Sequence, residues 1–255
     1  MFRILRISVL LYVLLIVAMT TWSARTRNTD WKEPLWVALY PINGDASDRS
    51  NDYIETLSEA AFQPLEAVMA KQAKNWGVPL EKPIDIKFAP EIASLPPPPP
   101  MSPNPLAVAY WSLRLRLWAW HHDTFDGPSD IRIFVVFHDP DEHAKLAHSL
   151  GLQKGFVGVV NAYADRKYDG RNNVVIAHEV LHTLGATDKY DPQTNQPYYP
   201  DGFAEPERSP LYPQKFAELM AGRIPLSKND AKMPGKLTRT MIGRATATEI
   251  GWVKR

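Results

Sequence analysis

The chain contains no cysteine. That absence excludes disulfide staples, thiol nucleophiles and thiolate-ligated zinc or iron–sulfur centres, so any metal chemistry must rest on histidine and carboxylate. A charge excess of either sign is also missing: 29 Lys and Arg face 28 Asp and Glu, a formal net charge of +1. The basic residues do not gather into one block, so the electrostatic footprint of a nucleic-acid binder is absent and no such partner is expected. Proline, by contrast, is abundant at 23 of 255 residues, nearly double its usual share of about 5%. This predicts long ordered loops or a linker in place of a compact helical bundle. The length suffices for one substantial domain with a real core, or such a domain with a short appendage.

The N-terminus differs from the rest. Arg3 and Arg6 precede an uncharged run from Ile7 to Trp22 (ISVLLYVLLIVAMTTW), and Arg25 and Arg27 follow it. A basic start before an apolar stretch is the pattern of an export signal or a signal anchor. The run lies between the core of a signal peptide and the roughly 20 residues of a bilayer span, and snorkelling of Arg3 and Arg6 makes up the difference. Cleavage positions are poor, since Ala24 has the bulky Trp22 two places before it. Residues 1–24 are therefore read as an uncleaved membrane helix in preference to a removed signal peptide, and residues 25–255 as one domain. The expected location is a single-pass position in the cell membrane with the domain periplasmic or extracellular; secretion after cleavage is the alternative.

From residue 31 strand-like and helix-like segments alternate, as in a mixed α/β (α+β) domain. Strands are predicted at Leu35–Ile42, Ile84–Phe88, Ile131–Phe137 and Phe156–Ala162. The unbroken apolar run of the third implies burial on both faces, and Gly158 in the fourth hints at a bulge or an edge. Helices are predicted over Asp52–Trp76, where Pro64 forces a kink or a fresh start, and over Leu106–His121, with Trp111, Leu115 and Trp118 on one side. The prolines of 96–105 read as an extended surface loop inside the domain rather than as a ligand for a partner module. His121 and His122 favourably end a helix near its C-terminal dipole.

The chemistry concentrates in Val174–Tyr190. Ala177, Val180, Leu181 and Leu184 recur at i, i+3, i+4 and i+7, which gives an amphipathic helix with Asn172 or Asn173 as its N-cap. His178 and His182 then project one turn apart from the same side, the separation at which two imidazoles bind one zinc ion. Glu179 lies beside them, where it can reach a water on that metal. Gly185 can take the left-handed conformation that ends a helix, so the chain reverses and Asp188 can swing back as a third ligand. His138, His143 and His148 are five apart, on different faces of a helix, which argues against a second metal there.

The stretch His178-Glu179-x-x-His182-x-x-Gly185-x-x-Asp188 resembles the zinc-binding consensus of the metzincin metallopeptidases. The version with Asp in third place, continued here as Lys189-Tyr190, is similar to snapalysin-type and immune-inhibitor-A-type bacterial proteases. Glu218-Leu-Met220-Ala-Gly222 resembles their Met-turn, and Ala245–Trp252 their closing helix. The resemblance implies a metzincin-like zincin domain, with a twisted mixed sheet and an active-site helix above a loop-rich C-terminal half. It implies Zn2+ held by His178, His182 and Asp188, Glu179 as general base, and a protein or peptide substrate. The chain is expected to work as a monomer.

Several roles have rivals. Glu205 lies near the offset at which thermolysin-like enzymes place a third ligand, although Gly185 and the Met-turn belong with Asp188. Tyr190 either donates a hydrogen bond to a developing oxyanion or packs beneath its loop. Met220 reads as a packing floor, not a ligand. Val157–Ala162, if it formed the exposed sheet edge, would bind an extended substrate by strand addition. The alternatives to an endopeptidase are a non-catalytic surface protein that keeps zinc for structure, and a zinc hydrolase acting on a cell-wall peptide.

Overall fold

The computed structural model describes residues 6–7, 11–12, 30–100, 104–153 and 155–254. The predicted N-terminal membrane helix therefore falls almost wholly outside the described residues. Among the described residues no helix is long and apolar enough to cross a membrane.

In chain order the first half comprises β1 (Leu35–Asn43), α1 (Asp48–Glu55), α2 (Gln63–Asn75), β2 (Ile84–Phe88), α3 (Pro105–His121), β3 (Ile131–His138), β4 (Leu150–Leu152) and β5 (Val157–Tyr163). The five strands form one sheet in the order β2-β1-β3-β5-β4. All pairings are parallel except that of β4, which runs antiparallel to the start of β5. β4 thus covers Val157–Val159, the first part of the stretch that would bind a substrate if it formed the edge, and is itself the edge there. Gly158 has a tight neighbour instead of a bulge to explain it: a Cβ there would lie 2.6 Å from Ile133 Cδ1.

Both faces of the sheet are covered, which is why β1 and β3 read as nearly continuous apolar runs. Leu35, Val37 and Leu39 with Ile133, Val135 and Phe137 join a core shared with α1, α2 and the helix that spans Asp169–Thr183. The alternate residues Tyr40, Ile42, Phe134 and Val136 pack with Trp111, Leu115 and Ala119 of α3. The far side of α3 leaves Leu106, Tyr110, Leu113, Leu117 and Trp120 exposed.

Pro64 gives a fresh start. It occupies the first turn of α2, where its missing N–H costs nothing, and the chain before it forms a separate helix α1 capped by Ser47, whose side chain accepts from Ser50 N–H at 3.1 Å.

The second half holds α4 (Asp169–Thr183), short strands β6 (Ala217–Glu218), β7 (Ile224–Ser227), β8 (Asp230–Lys232) and β9 (Thr240–Met241), and α5 (Arg244–Glu249). Helix α4 begins earlier than predicted, so Asn172 and Asn173 are not its N-cap; both lie buried within it. Asn172 accepts from Tyr163 N–H at 3.2 Å and donates to Tyr163 O at 2.9 Å, which fastens the helix to the end of β5. Asn173 donates to Ala61 O at 3.0 Å. The proline-rich stretch after α4 is ordered, with cis peptides at Tyr199–Pro200, Ser209–Pro210 and Tyr212–Pro213. The ends of the domain meet where Trp31 Nε1–H donates to Ile250 O at 2.7 Å and the Trp31 ring lies edge-on to Trp252.

Candidate metal centre and cleft

Helix α4 runs beneath the sheet with Ala177, Val180 and Leu181 in the core. This leaves His178 and His182 on the side facing the loop that follows. Gly185, at φ +104°, makes the reversal, because only a residue without Cβ adopts that conformation freely. Asp188 returns to the helix, its Oδ1 lying 3.2 Å from His178 Nε2 and 3.2 Å from His182 Nε2.

The other ring nitrogens face carbonyls. His178 Nδ1 lies 3.0 Å from Leu219 O, and His182 Nδ1 lies 2.8 Å from Ala186 O. A carbonyl can only accept, so each Nδ1 carries the hydrogen and each Nε2 is the atom directed at Asp188. Tetrahedral zinc with bonds of about 2.0–2.2 Å holds its ligands roughly 3.3–3.6 Å apart, close to the spacing found here. The charges agree with a cation site. Burial works against charge on His178, yet Asp188 and Glu179 outweigh it and push the imidazole up to about 9. Burial likewise opposes ionisation of Asp188, but the two imidazoles hold its carboxyl well below the usual range. Two imidazoles and a carboxylate are a donor set that fits a divalent transition ion.

Glu179 is 4% exposed, and its Oε2 is buried without a hydrogen-bond partner. Burial pushes its carboxyl up, opposed by the neighbouring imidazoles. A buried carboxylate oxygen left unpaired is costly, and such groups concentrate where chemistry needs them. Tyr190 is half-buried; desolvation, then Asp188 and Glu179, raise its phenol. A cleft of about 430 Å³ opens beside His178 and Glu179, with Tyr190, Arg223, Arg171 and the 144–149 segment among its walls.

The predicted site residues His178, Glu179, His182, Asp188 and Tyr190 thus come together. Glu205 does not join them: its carboxylate accepts from Lys215 N–H at 3.0 Å and faces Arg208. Met220 is fully buried, and its carbonyl accepts from Lys189 N–H at 3.0 Å.

Three residues support the site in ways that no sequence pattern announces. Glu218, fully buried, accepts from Met220 N–H at 2.6 Å, Ala221 N–H at 3.0 Å, Gly243 N–H at 3.1 Å and Thr246 Oγ1–H at 2.7 Å. It fixes the turn whose Leu219 carbonyl orients His178. Lys189 is 6% exposed and bonds the carboxylate of Glu249. Gly151 of β4 lies against α4 so closely that a Cβ would sit 2.6 Å from both Glu179 O and His182 Cβ. Glu218 two residues before Met220 and a Gly within a short apolar segment are the available signals, but neither names its partner.

The two histidines of 138–143 correct an expectation. They do not lie on a helix: His138 ends β3 and His143 stands in the turn after it, so helical spacing does not apply. Their rings are 5.1 Å apart, and both approach Asp45.

Compared with known proteins, the chain matches no family model and no curated protein.

Proposed function

We propose that this chain is a zinc-dependent endopeptidase of metzincin-like architecture, held at the membrane by its N-terminal apolar segment with the domain facing the periplasm or exterior. One observation carries the reading: two imidazole Nε2 atoms meet one Asp188 oxygen while the buried, unpartnered Oε2 of Glu179 stands beside them. A purely structural metal site has no use for that orphan carboxylate, and a general base does.

Zinc, when bound by His178, His182 and Asp188, would supply the Lewis acidity that lowers a water's pKa towards about 7 and polarises the scissile carbonyl. Glu179 accepts the proton of the attacking water, and the raised affinity of its buried carboxyl for protons suits it to hold that proton and deliver it to the departing amine. Tyr190, at the same cleft, donates its phenolic hydrogen to the oxyanion. The substrate lies extended along β4, which pairs with β5 on one side and is the last strand of the sheet. Its outer backbone groups offer main-chain hydrogen bonds to any peptide, and Gly151 brings that edge against Glu179.

The decisive variant is Glu179→Gln. It keeps size and polarity while removing the base, so zinc content measured by atomic absorption stays at the wild-type level and cleavage of a denatured protein falls by a factor of at least about 10³. Undiminished cleavage by E179Q refutes the proposal.

A further inference from the structure

The carboxyl ends of the parallel strands hold a second set of donors. Asn43 of β1 pairs with Phe137 of β3, and this register sets Asp45, two residues beyond β1, beside His138 at the end of β3. His143 comes back from the turn that follows, with Nε2 3.6 Å from Asp45 Oδ2. One ligand atom from each of Asp45, His138 and His143 lies within 4.8 Å of the others. Open α/β sheets place ligands outside the carboxyl ends of their strands, where loops from neighbouring strands converge.

The hydrogen bonds around the cluster leave one nitrogen of His138 free. Asn161 Nδ2 donates to His148 O at 3.2 Å, which turns its Oδ1 towards His138 Nε2, also at 3.2 Å. That oxygen accepts only, so Nε2 carries the hydrogen and the lone pair belongs to Nδ1. His138 Nδ1 is fully buried and has no partner. Asp45 accepts from Ser47 N–H at 3.1 Å and Ser47 Oγ–H at 2.8 Å through one oxygen, and from Asp139 N–H at 2.5 Å through the other. The second of these oxygens, Oδ2, is the one that faces His143. The approach depends on Gly44, where a Cβ would stand 2.6 Å from His138 Cε1.

We infer that Asp45, His138 and His143 form a second, structural binding site for a divalent transition ion, zinc by preference. Two imidazoles and one carboxylate suit zinc and its neighbours and do not suit calcium or magnesium, which take oxygen ligands. The site fastens the turn after β3 to the ends of two strands. That turn leads into residues 144–149, which wall the cleft beside His178 and Glu179 and are themselves tied to β5 through Tyr163 Oη–H to Ala144 O at 3.1 Å. A bound ion would therefore stiffen one wall of the cleft without entering it. The inference stands on its own residues and does not rest on the proposed peptidase activity.

The test counts zinc in purified full-length chain, by chelator competition and by native mass spectrometry, in wild type, His143→Ala, His143→Gln and the double variant H178A/H182A. The His143 side chain is 39% exposed, so its replacements should retain the wild-type circular dichroism. Wild type is expected to hold two equivalents, and each of H143A, H143Q and H178A/H182A one. Zinc should also protect the 139–149 segment from proteolysis in wild type and in H178A/H182A, but not in the His143 variants. Zinc content in both His143 variants equal to that of wild type, whatever the wild-type total, overturns the second site. Two equivalents retained by H178A/H182A would instead count against the proposed peptidase centre, so the two failures are distinct.

Discussion

The ammonium of Lys189 donates to both oxygens of Glu249, at 2.8 and 2.7 Å, and Thr187 donates to the same carboxylate through N–H at 2.9 Å and through Oγ1–H at 2.8 Å. Thr187 and Lys189 flank Asp188. Glu249, from the last helix, therefore grips the loop on both sides of Asp188 and fixes its height above α4.

Glu249→Gln should loosen that grip and leave a buried ammonium without its counter-ion. Burial alone pushes the Glu249 carboxyl up, but Lys189 and Thr187 bring it below the usual range. A carboxylate so depressed stabilises the fold above its unfolded pKa of about 4.3, and loses that contribution as the pH falls through the folded value. At pH 7 the variant should be about 2 kcal/mol less stable, a smaller cost than a fully buried pair exacts because Glu249 is partly exposed. Zinc affinity should fall roughly 10- to 100-fold, as when other groups that orient ligands are removed. Urea unfolding at pH 7 and pH 3.5 checks the sign: the gap between wild type and E249Q must narrow at the acid end. A gap of the same size at both pH values would exclude the linkage.

Asp188 and Glu205 make a direct comparison. Asp188→Ala removes the carboxylate that both imidazoles face and should cost zinc affinity at least 100-fold. Glu205→Ala removes a loop contact to Lys215 and Arg208 and should leave zinc content unchanged. Equilibrium dialysis of both variants decides between the ligands, and the reverse ranking would restore Glu205.

Much of this was legible in the sequence for a physical reason: β3 and α4 are apolar in patterns that only a doubly covered strand and an amphipathic helix produce. The pair His178 and His182 follows from helical periodicity, which is local. What stayed hidden depends on distant pairing. Glu218 meets Thr246 28 residues away, Lys189 meets Glu249 60 residues away, and Asp45 meets Asp139, beside His138, 94 residues away. No local period encodes such contacts, because they arise from strand register and from the return of the last helix. Helix α4 starts before the predicted cap for a related reason. Asn172 is a strong capping type, but here its side chain serves Tyr163 on β5, and tertiary bonding overrides the local preference.

Tyr190 separates chemistry from packing. Tyr190→Phe keeps the ring that lines the cleft and deletes only the hydroxyl. Loss of one oxyanion donor should lower kcat by about 10²-fold, with KM and zinc content little changed. Steady-state kinetics on a fluorogenic peptide measures both parameters. An unaltered kcat would reduce Tyr190 to a packing residue.

The last prediction concerns the edge strand, where a single methyl group should disturb function more than folding. Gly151→Ala would place a Cβ 2.6 Å from Glu179 O and from His182 Cβ, and 3.1 Å from Glu179 Oε2. The first two contacts are with rigid parts of a core helix, so α4 cannot yield. The strand that must move is β4, only three residues long and paired on one side. Overpacking of this kind costs about 1–3 kcal/mol in a closed core, and an edge that can lift should sit at the low end. A strand lifted by about 1 Å no longer presents an extended peptide at the right height over Glu179, and misplacement on that scale can cost about 10²-fold. G151A should therefore lose at least about tenfold in kcat/KM on peptides long enough to span β4, while its unfolding midpoint and zinc content stay near wild type. Gly235→Ala supplies the control, since a Cβ there meets nothing within 4 Å. Wild-type kcat/KM in G151A on such peptides would show that β4 does not bind the substrate.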